Sequence, residues 1–412
     1  MSYHTLIVGG GLSGLTCGIA LARHGKRVAI VNAAPSSLTL SGGSMELLGN
    51  VDGKMVTNPL YALDRLSDGH PYRRIGLDNI EPLARQAKQL LTSAGIATVG
   101  DATRNHFRIT PMGVLKPAWL TLDGMATASD AHQLPWPHVT IIDIRGFVDY
   151  PLDFVVDGLQ RLGTQVDVKQ VAIDRLRTAR NSSTEMRASS IARSLTSRAA
   201  ITQLANAINA VTTPDDVLLL PAVIGLEDDY ARQQLRQQVK AQLFSLATLP
   251  PSVPGQRIAF AMRLYYQMLG GAYLTGDTVT TANFDGSHMV NMIATKRPDV
   301  PLYAENYVLA TGSFIGRGLV ADSNTVVEPI AGLDIALPEH RDQWSDYGMM
   351  GDQPYMSMGV AVDGNFHGIK DGSPVDNLYA IGALLGGHNP LVLGDSHGVD
   401  MLTALQVAKQ LL

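Results

Sequence analysis

The sequence predicts an α/β fold, a parallel sheet flanked by helices and interrupted by a second α/β lobe. Three observations carry this expectation. A buried strand runs directly into a glycine-rich turn and an apolar helix at the N terminus, strand-like apolar runs then alternate with helical stretches, and two later strands each end on a glycine.

The first unit reads Thr5-Leu6-Ile7-Val8, a strand, then Gly9-Gly10-Gly11-Leu12-Ser13-Gly14, then a helix that Gly25 closes, then the strand Val28-Ala29-Ile30-Val31. That is a complete βαβ unit. From about residue 58 to 95 the pattern is helical, with Leu83, Ala87 and Leu90 or Leu91 at helical spacing and Ser93-Ala94-Gly95 as the stop. A Pro-rich break at 133–137 precedes a strand at 138–144. A helix near 151–162, a strand near 165–171, a helix around 184–207, a strand at 216–220, a helix near 228–239 and a strand at 242–246 follow. Residues 135–250 therefore read as an inserted α/β domain, with 1–134 and 251–412 as the discontinuous outer domain.

Beyond the proline pair Pro250-Pro251, Ser252 caps a helix that carries Pro254 in its first turn and runs to about Leu269. Short strands at 272–274, 278–283 and 289–295 read as a small meander leading into Tyr307-Val308-Leu309-Ala310-Thr311-Gly312. The chain returns through Leu378-Tyr379-Ala380-Ile381-Gly382 and a last helix from about 398 to 411.

Composition sets the remaining bounds. At 412 residues, 45% hydrophobic and 17% charged, the chain can fill a sizeable core in each lobe. Lys plus Arg number 32 against 37 Asp plus Glu, and the balance of −5 supplies no basic field for nucleic acid. A single cysteine, Cys17, excludes an intrachain disulfide, a Cys-ligated zinc site and an iron–sulfur cluster held by this chain alone. No metal site is expected. Residues 1–11 lack the basic start and apolar stretch of a secretory signal, and no apolar run is long enough to span a membrane. The expectation is a cytoplasmic chain that meets a membrane only through a partner.

The glycines carry the chemistry. A helix start offers unpaired N–H groups and the positive end of the helix dipole, so a strand–turn–helix is a cradle for pyrophosphate. Gly9 permits the tight turn, Gly11 leaves room for phosphate, and Gly14 lets helix pack on strand, with Leu12 and Ser13 between them. Dinucleotide sites usually close the second strand with an acid for the ribose hydroxyls, but here Asn32 stands in its place. Asn32 either bonds a hydroxyl without charge, which makes a mononucleotide such as FMN plausible, or simply begins a turn. Thr311-Gly312 and Gly382 resemble the second and third signatures of flavin-linked oxidoreductases. Together the three predict an FAD/NAD(P)-binding, Rossmann-like flavoprotein fold with an inserted α/β lobe. A final helix opening at Gly398-Val399 would aim its N–H groups at the flavin's pyrimidine edge and stabilise the reduced ring.

Several further stretches resemble the B-subunit family of anaerobic glycerol-3-phosphate dehydrogenase. They are Ser41-Gly42-Gly43-Ser44-Met45-Glu46-Leu47-Leu48, Thr110-Pro111-Met112-Gly113, Arg180-Asn181-Ser182-Ser183-Thr184-Glu185-Met186-Arg187, Thr248-Leu249-Pro250-Pro251-Ser252-Val253-Pro254-Gly255 and Gly312-Ser313-Phe314. The resemblance implies a flavin subunit, usually taken to carry FMN with FAD as the alternative. It also implies a catalytic A subunit and an iron–sulfur C subunit that anchors the complex at the inner face of the cytoplasmic membrane. Electrons from glycerol 3-phosphate would end in the quinone pool. An independent FAD-dependent reductase and a non-catalytic assembly subunit are the alternative functions.

One departure concerns the turn before the last helix, Gly394-Asp395-Ser396-His397-Gly398-Val399, where the family tends to be glycine-rich. Asp395 either caps the helix or places a negative charge near the flavin. His388 and His397 are catalytic candidates as proton donors, set against the plainer reading of solvated or core-satisfied rings. For a phosphorylated substrate the cations are Arg180, Arg187, Arg193 and Arg257, of which Arg257 is the catalytic candidate; surface charge or structural ion pairing is the competing account. Ser182 and Glu185 fit a capping box, which would put Arg187 and Arg193 on one helix, six residues apart and facing different ways. Ser41, Gly42, Gly43 and Ser44 are expected to expose N–H and hydroxyl groups near the flavin.

Overall fold

The computed structural model describes residues 2–296, 298–348, 351 and 353–412. The chain opens with β1 (Ser2–Val8), α1 (Leu12–Ala22) and β2 (Val28–Asn32), and helix α2 (Ile80–Ser93) follows after short turns of helix. Four strands then form a second sheet: β3 (His138–Ile144), β4 (Gln165–Val171), β5 (Val217–Pro221) and β6 (Gln242–Leu246). Helix α3 (Val253–Met268) leads back into β7 (Ala272–Thr275), β8 (Tyr303–Leu309), β9 (His367–Lys370), β10 (Ser373–Ala380) and the last helix, α4 (Ser396–Gln410).

The first sheet has the order β7-β2-β1-β8-β10-β9, parallel except for the edge hairpin β9–β10. Its central strands Leu6-Ile7-Val8 and Val28-Ala29-Ile30-Val31 are buried on both faces, as a parallel sheet between helix layers requires. The second sheet runs β4-β3-β5-β6, all parallel. The period-two alternation of β3 divides its faces between two cores, Val139 and Ile141 on one side and Ile142 and Ile144 on the other. No helix among the described residues is long and apolar enough to cross a membrane.

Local signals were sound where a cap or turn residue fixed an element. Ser252 Oγ accepts the N–H of Gly255 at 3.0 Å and starts α3 with Pro254 in its first turn. Gly25, at φ +74°, follows α1. Four expectations failed. The residues 272–274 are no part of a meander: β7 pairs in parallel with β2, and only the strands Val279–Asp285 and His288–Ala294 form a hairpin. The region 58–95 is only partly helical, as short helices Pro59–Ala62 and Pro71–Ile75 before α2. The helix expected at 184–207 is two, Ala188–Ser194 and Arg198–Asn209, because Ser197 caps the second by accepting the N–H of Ala200 at 3.2 Å. Ser182 and Glu185 form no capping box. The buried carboxylate of Asp149 accepts the Ala188 N–H at 2.7 Å and starts the first helix there, so Arg187 precedes it while Arg193 lies on it.

Candidate functional site

The three glycine-marked segments meet at the carboxyl ends of β1, β8 and β10. Gly9 has φ +113°, and a Cβ there would lie 2.1 Å from the carbonyl oxygen of Ala310. A Cβ on Gly14 would lie 1.9 Å from the Gly9 carbonyl oxygen, so both glycines are demanded by backbone contact. Gly11 differs. Its Cβ would meet only the Ser36 Cβ, at 3.8 Å, which leaves open space at the helix start. The first intrahelical bond of α1 runs from the Leu15 N–H to the Gly11 carbonyl at 2.9 Å, so the N–H groups of Leu12, Ser13 and Gly14 precede the ladder. Thr311 Oγ1, close to Gly318 in the turn after β8, is buried with no hydrogen-bond partner among the described residues. Gly382, at φ +69°, sits against Ser13 and Asp400, donating its N–H to Thr403 Oγ1 at 3.0 Å. Gly312 turns the chain after β8 at φ +77°.

Past this turn opens a cavity of about 560 Å³, lined by Gly10, Asn32, Ser36, Phe260, Arg263 and Tyr273 among others. It lies outside the carboxyl ends of β2 and β7, the position where open α/β sheets bind ligands. Asn32 lines it, but its amide is engaged: Oδ1 accepts the Gly10 N–H at 3.1 Å and Nδ2 donates to the Ala34 carbonyl at 2.9 Å. Asn32 therefore holds the glycine turn in shape, and its lack of charge says nothing about a ribose. The open helix start, the orphaned Thr311 hydroxyl and this cavity together fit a nucleotide-bearing flavin.

At the start of α4 the expected arrangement changes. Asp395 occupies the cap position without making a cap bond. Its carboxylate is fully buried and turns inward, 2.8 Å from His70 Nε2 and 3.1 Å from His388 Nδ1. Charge-assisted bonds to two rings win over the helix amides. Burial opposes ionisation of Asp395, but the two histidines outweigh it and hold the carboxyl well below the usual carboxylate range. The Gly398 N–H donates to the Glu46 carbonyl at 2.8 Å and the Val399 N–H to the Asp395 carbonyl at 2.9 Å. Neither amide is free to face a flavin, and Gly398 is a packing glycine instead.

His397 Nδ1 lies 2.5 Å from Glu46 Oε2, and Arg108 donates to Glu46 Oε1 at 2.8 Å. Burial disfavours ionisation of Glu46, yet His397 and Arg108 carry it down to about 2. Burial likewise opposes the charged form of His397, and Glu46 overrides it, raising the ring above its ordinary value. The stretch 41–44 is mostly satisfied within the fold: Ser41 Oγ bonds the Gly43 N–H and the Ser44 carbonyl, and Ser44 Oγ accepts from Thr121 at 2.9 Å. Those groups are closed off because Gly43, at φ +94°, packs on Pro254.

Arg257 stands apart from this cluster. It donates to Asp229 at 2.9 Å, in a network with Arg232, and its side chain is largely buried there. Arg187 pairs with Asp149, and Arg180 donates to the Ile173 carbonyl. Arg257 and Arg187 are thus each engaged by a carboxylate, and Arg180 by a backbone carbonyl. Of the four candidate arginines, Arg193 borders the cavity. Sequence reading missed His70, Tyr72, Glu46 in its pairing role and Arg108. No local pattern marks them, since each reaches the site through contacts tens to hundreds of residues away.

A family profile described as an FAD binding domain matches residues 4–399, which supports a flavin of the FAD type. The chain is 39% identical over 416 residues to a protein of Yersinia enterocolitica named as the B subunit of anaerobic glycerol-3-phosphate dehydrogenase, covering 100% of this chain and 98% of the relative. A protein of the same name from Pectobacterium atrosepticum is 37% identical over 418 residues, with 100% and 99% covered. Among solved structures, the 3-ketosteroid delta1-dehydrogenase of Sterolibacterium denitrificans is 9% identical with a TM-score of 0.45, covering 100% of this chain and 99% of that one. With full-length identity of 37–39% to these relatives and the FAD-binding profile over nearly all of its length, the chain belongs to the B-subunit family of anaerobic glycerol-3-phosphate dehydrogenase.

Proposed function

We propose that this chain is the flavin-bearing B subunit of an anaerobic glycerol-3-phosphate dehydrogenase, a flavin-dependent oxidoreductase that carries FAD. It works with an A subunit and an iron–sulfur C subunit that holds the complex at the membrane and passes electrons toward the quinone pool. The observation that carries this is the convergence of three glycine-marked strand ends on the open start of α1, in a chain whose relatives bear that name. The two sheets support reading residues 135–250 as a domain inserted into the flavin-binding one.

FAD is favoured over FMN by the cavity beyond Gly10, which offers room for an adenosine that FMN lacks. The amides of Leu12 and Ser13 bind the phosphates, with Gly11 giving them access and Thr311 Oγ1 offering a further hydrogen bond. When bound, the flavin supplies acceptance of an electron pair. His388 is the proton-accepting residue, since its ring is buried and tied to a carboxylate through Nδ1, leaving Nε2 to work. Arg108, whose Nε is buried without a partner among the described residues, supplies positive charge beside Glu46 and His397 for an anionic substrate.

The test is to assemble the chain with its A and C partners, mass the released cofactor, and follow the chain's own flavin on mixing with glycerol 3-phosphate. FAD released and bleached by the substrate is the expected result. A chain colourless both alone and in the complex overturns the reading. Bleaching by a nicotinamide in the isolated chain would favour the independent reductase instead.

A further inference from the structure

His70, Asp395 and His388 lie together, all buried, with their nearest polar atoms within 4.8 Å of one another. Such a set could be a metal site, a proton relay or an orientation device, and hydrogen positions decide among them. His70 Nδ1 is 3.0 Å from the backbone N–H of Tyr72. A backbone amide only donates, so Nδ1 accepts, and the proton of the neutral ring sits on Nε2, facing Asp395.

A metal bound through His70 Nε2 would need the lone pair of that nitrogen while Nδ1 also carries no proton. The ring would have to be an imidazolate. Metal-bound histidines instead donate through their second nitrogen, so the donor set is wrong for a cation. A relay fails at the same atom, because a proton reaching His70 has no acceptor beyond an amide N–H. What remains is orientation. Asp395 accepts from His70 on one side and from His388 Nδ1 on the other, at 3.1 Å to each oxygen.

The backbone holds the three residues in register. Gly387, at φ +92°, lies against the segment of His70, where a Cβ would be 2.2 Å from the Gly69 carbonyl oxygen. The Gly49 N–H donates to the Gly394 carbonyl at 2.9 Å, next to Asp395. The ionisable groups facing His388 are Asp395 at the cap of α4, Asp400 within it and His70, with Tyr72 and Arg73 behind His70 and the Glu46–His397–Arg108 group along α4. Burial disfavours the charged form of His388, but Asp395 outweighs it and raises the ring, whereas burial dominates at His70 and lowers it.

We infer that His70 and Asp395 are positioning residues, a metal-free clamp that keeps the Nδ1 proton of His388 on the carboxylate and leaves Nε2 as the one atom of the cluster that exchanges a proton during turnover. The inference rests on the flavin-oxidoreductase reading. In oxidation of a secondary alcohol the hydroxyl proton goes to Nε2. The O–H electron pair becomes the second bond of the carbonyl, and a flavin, when bound, would supply the acceptor for the C–H hydrogen and its electron pair.

The assembled complex provides the kinetic test and the histidine-labelled full chain the structural one. In Asp395→Asn, His70 Nε2–H takes the amide oxygen, so the amide N–H faces His388 Nδ1 and moves the ring proton to Nε2, where it blocks acceptance. kcat should fall about 10²- to 10⁴-fold with KM for glycerol 3-phosphate nearly unchanged, and the acid limb of the kcat profile should move to lower pH. His70→Gln, which keeps a donor to Asp395, should lose no more than about tenfold and keep the wild-type profile. Without substrate, ¹⁵N spectra of the wild-type chain should show one buried ring that keeps the Nε2–H form to lower pH than an ordinary imidazole and another titrating above the ordinary value of about 6.5. Asp395→Asn with wild-type kcat and pH profile would sink the clamp. So would two buried rings titrating alike in the wild-type chain, or stoichiometric zinc lost from the His70→Gln complex. A wild-type complex whose flavin glycerol 3-phosphate cannot bleach strikes at the proposed function, whereas normal bleaching with an indifferent Asp395→Asn strikes at the clamp alone.

Discussion

The hydroxyl of Tyr72 stands where a side chain on residue 398 would be: a Cβ on Gly398 would lie 2.1 Å from that oxygen, which donates to the Leu47 carbonyl at 2.7 Å. This contact seats the first turn of α4 on the segments that carry Glu46 and His70. Gly398→Ala should therefore cost about 1–3 kcal/mol by overpacking, read as a lower urea midpoint at unchanged slope. Adding Tyr72→Phe removes the obstructing oxygen. The double variant should recover part of the loss, giving a coupling of at least about 0.5 kcal/mol in the cycle, and strict additivity would refute the contact.

Gly9 and Gly11 should separate folding from cofactor binding. Gly9→Ala places a Cβ against backbone at positive φ and should destabilise the chain by about 3 kcal/mol or more. Gly11→Ala meets open space at a helix cap, so the flavin-free chain should lose at most about 1 kcal/mol. Its flavin content on purification should nevertheless drop sharply. Full flavin occupancy in Gly11→Ala would place the phosphates elsewhere.

Two arginines should behave oppositely. Arg257→Met breaks the bond to Asp229 but leaves Arg232 in place, so it should cost about 1–3 kcal/mol in chemical denaturation with kcat and KM of the complex unchanged. On the proposed function, in which Arg108 supplies positive charge for an anionic substrate, Arg108→Gln should raise KM for glycerol 3-phosphate about tenfold or more. Equal kinetic effects of the two variants would remove Arg108 from the site.

The Glu46–His397 pair sets a pH window. Glu46 is depressed from 4.5 to about 2 in the folded chain, so its contribution is present above about 4.5 and is lost as pH falls toward 2. His397 is raised above 6.5, so its contribution is complete below 6.5 and is lost as pH rises through the higher folded value. Together they stabilise most between about 4.5 and 6.5. Glu46→Gln should remove both slopes from a plot of unfolding free energy against pH, and a variant that keeps the wild-type slopes would contradict the pairing.

Much of the fold was legible in the sequence because local chemistry fixes it. The strands His138–Ile144, Gln165–Val171 and Gln242–Leu246 fall at the residues expected from their apolar runs, and the cap at Ser252 starts α3 as expected. The helix at 184–207 failed because Ser197 competes for a cap, and β7 was misplaced because its partner β2 is more than two hundred residues away. The site divides the same way. Gly9, Gly14 and Gly312 announce themselves by the conformations and contacts they permit, whereas nothing in the sequence marks the pairing of Arg257 with Asp229.

The sequence by itself determined the βαβ entry, the glycine cradle at its turn and the family to which the chain belongs, since backbone turns and helix starts depend on neighbouring residues. Tertiary structure alone decided that Asp395 turns from its helix to two histidines, that Asn32 braces the turn, and that His70 arrives beside His388 from 318 residues earlier. A buried charge takes whichever donors lie nearest in space.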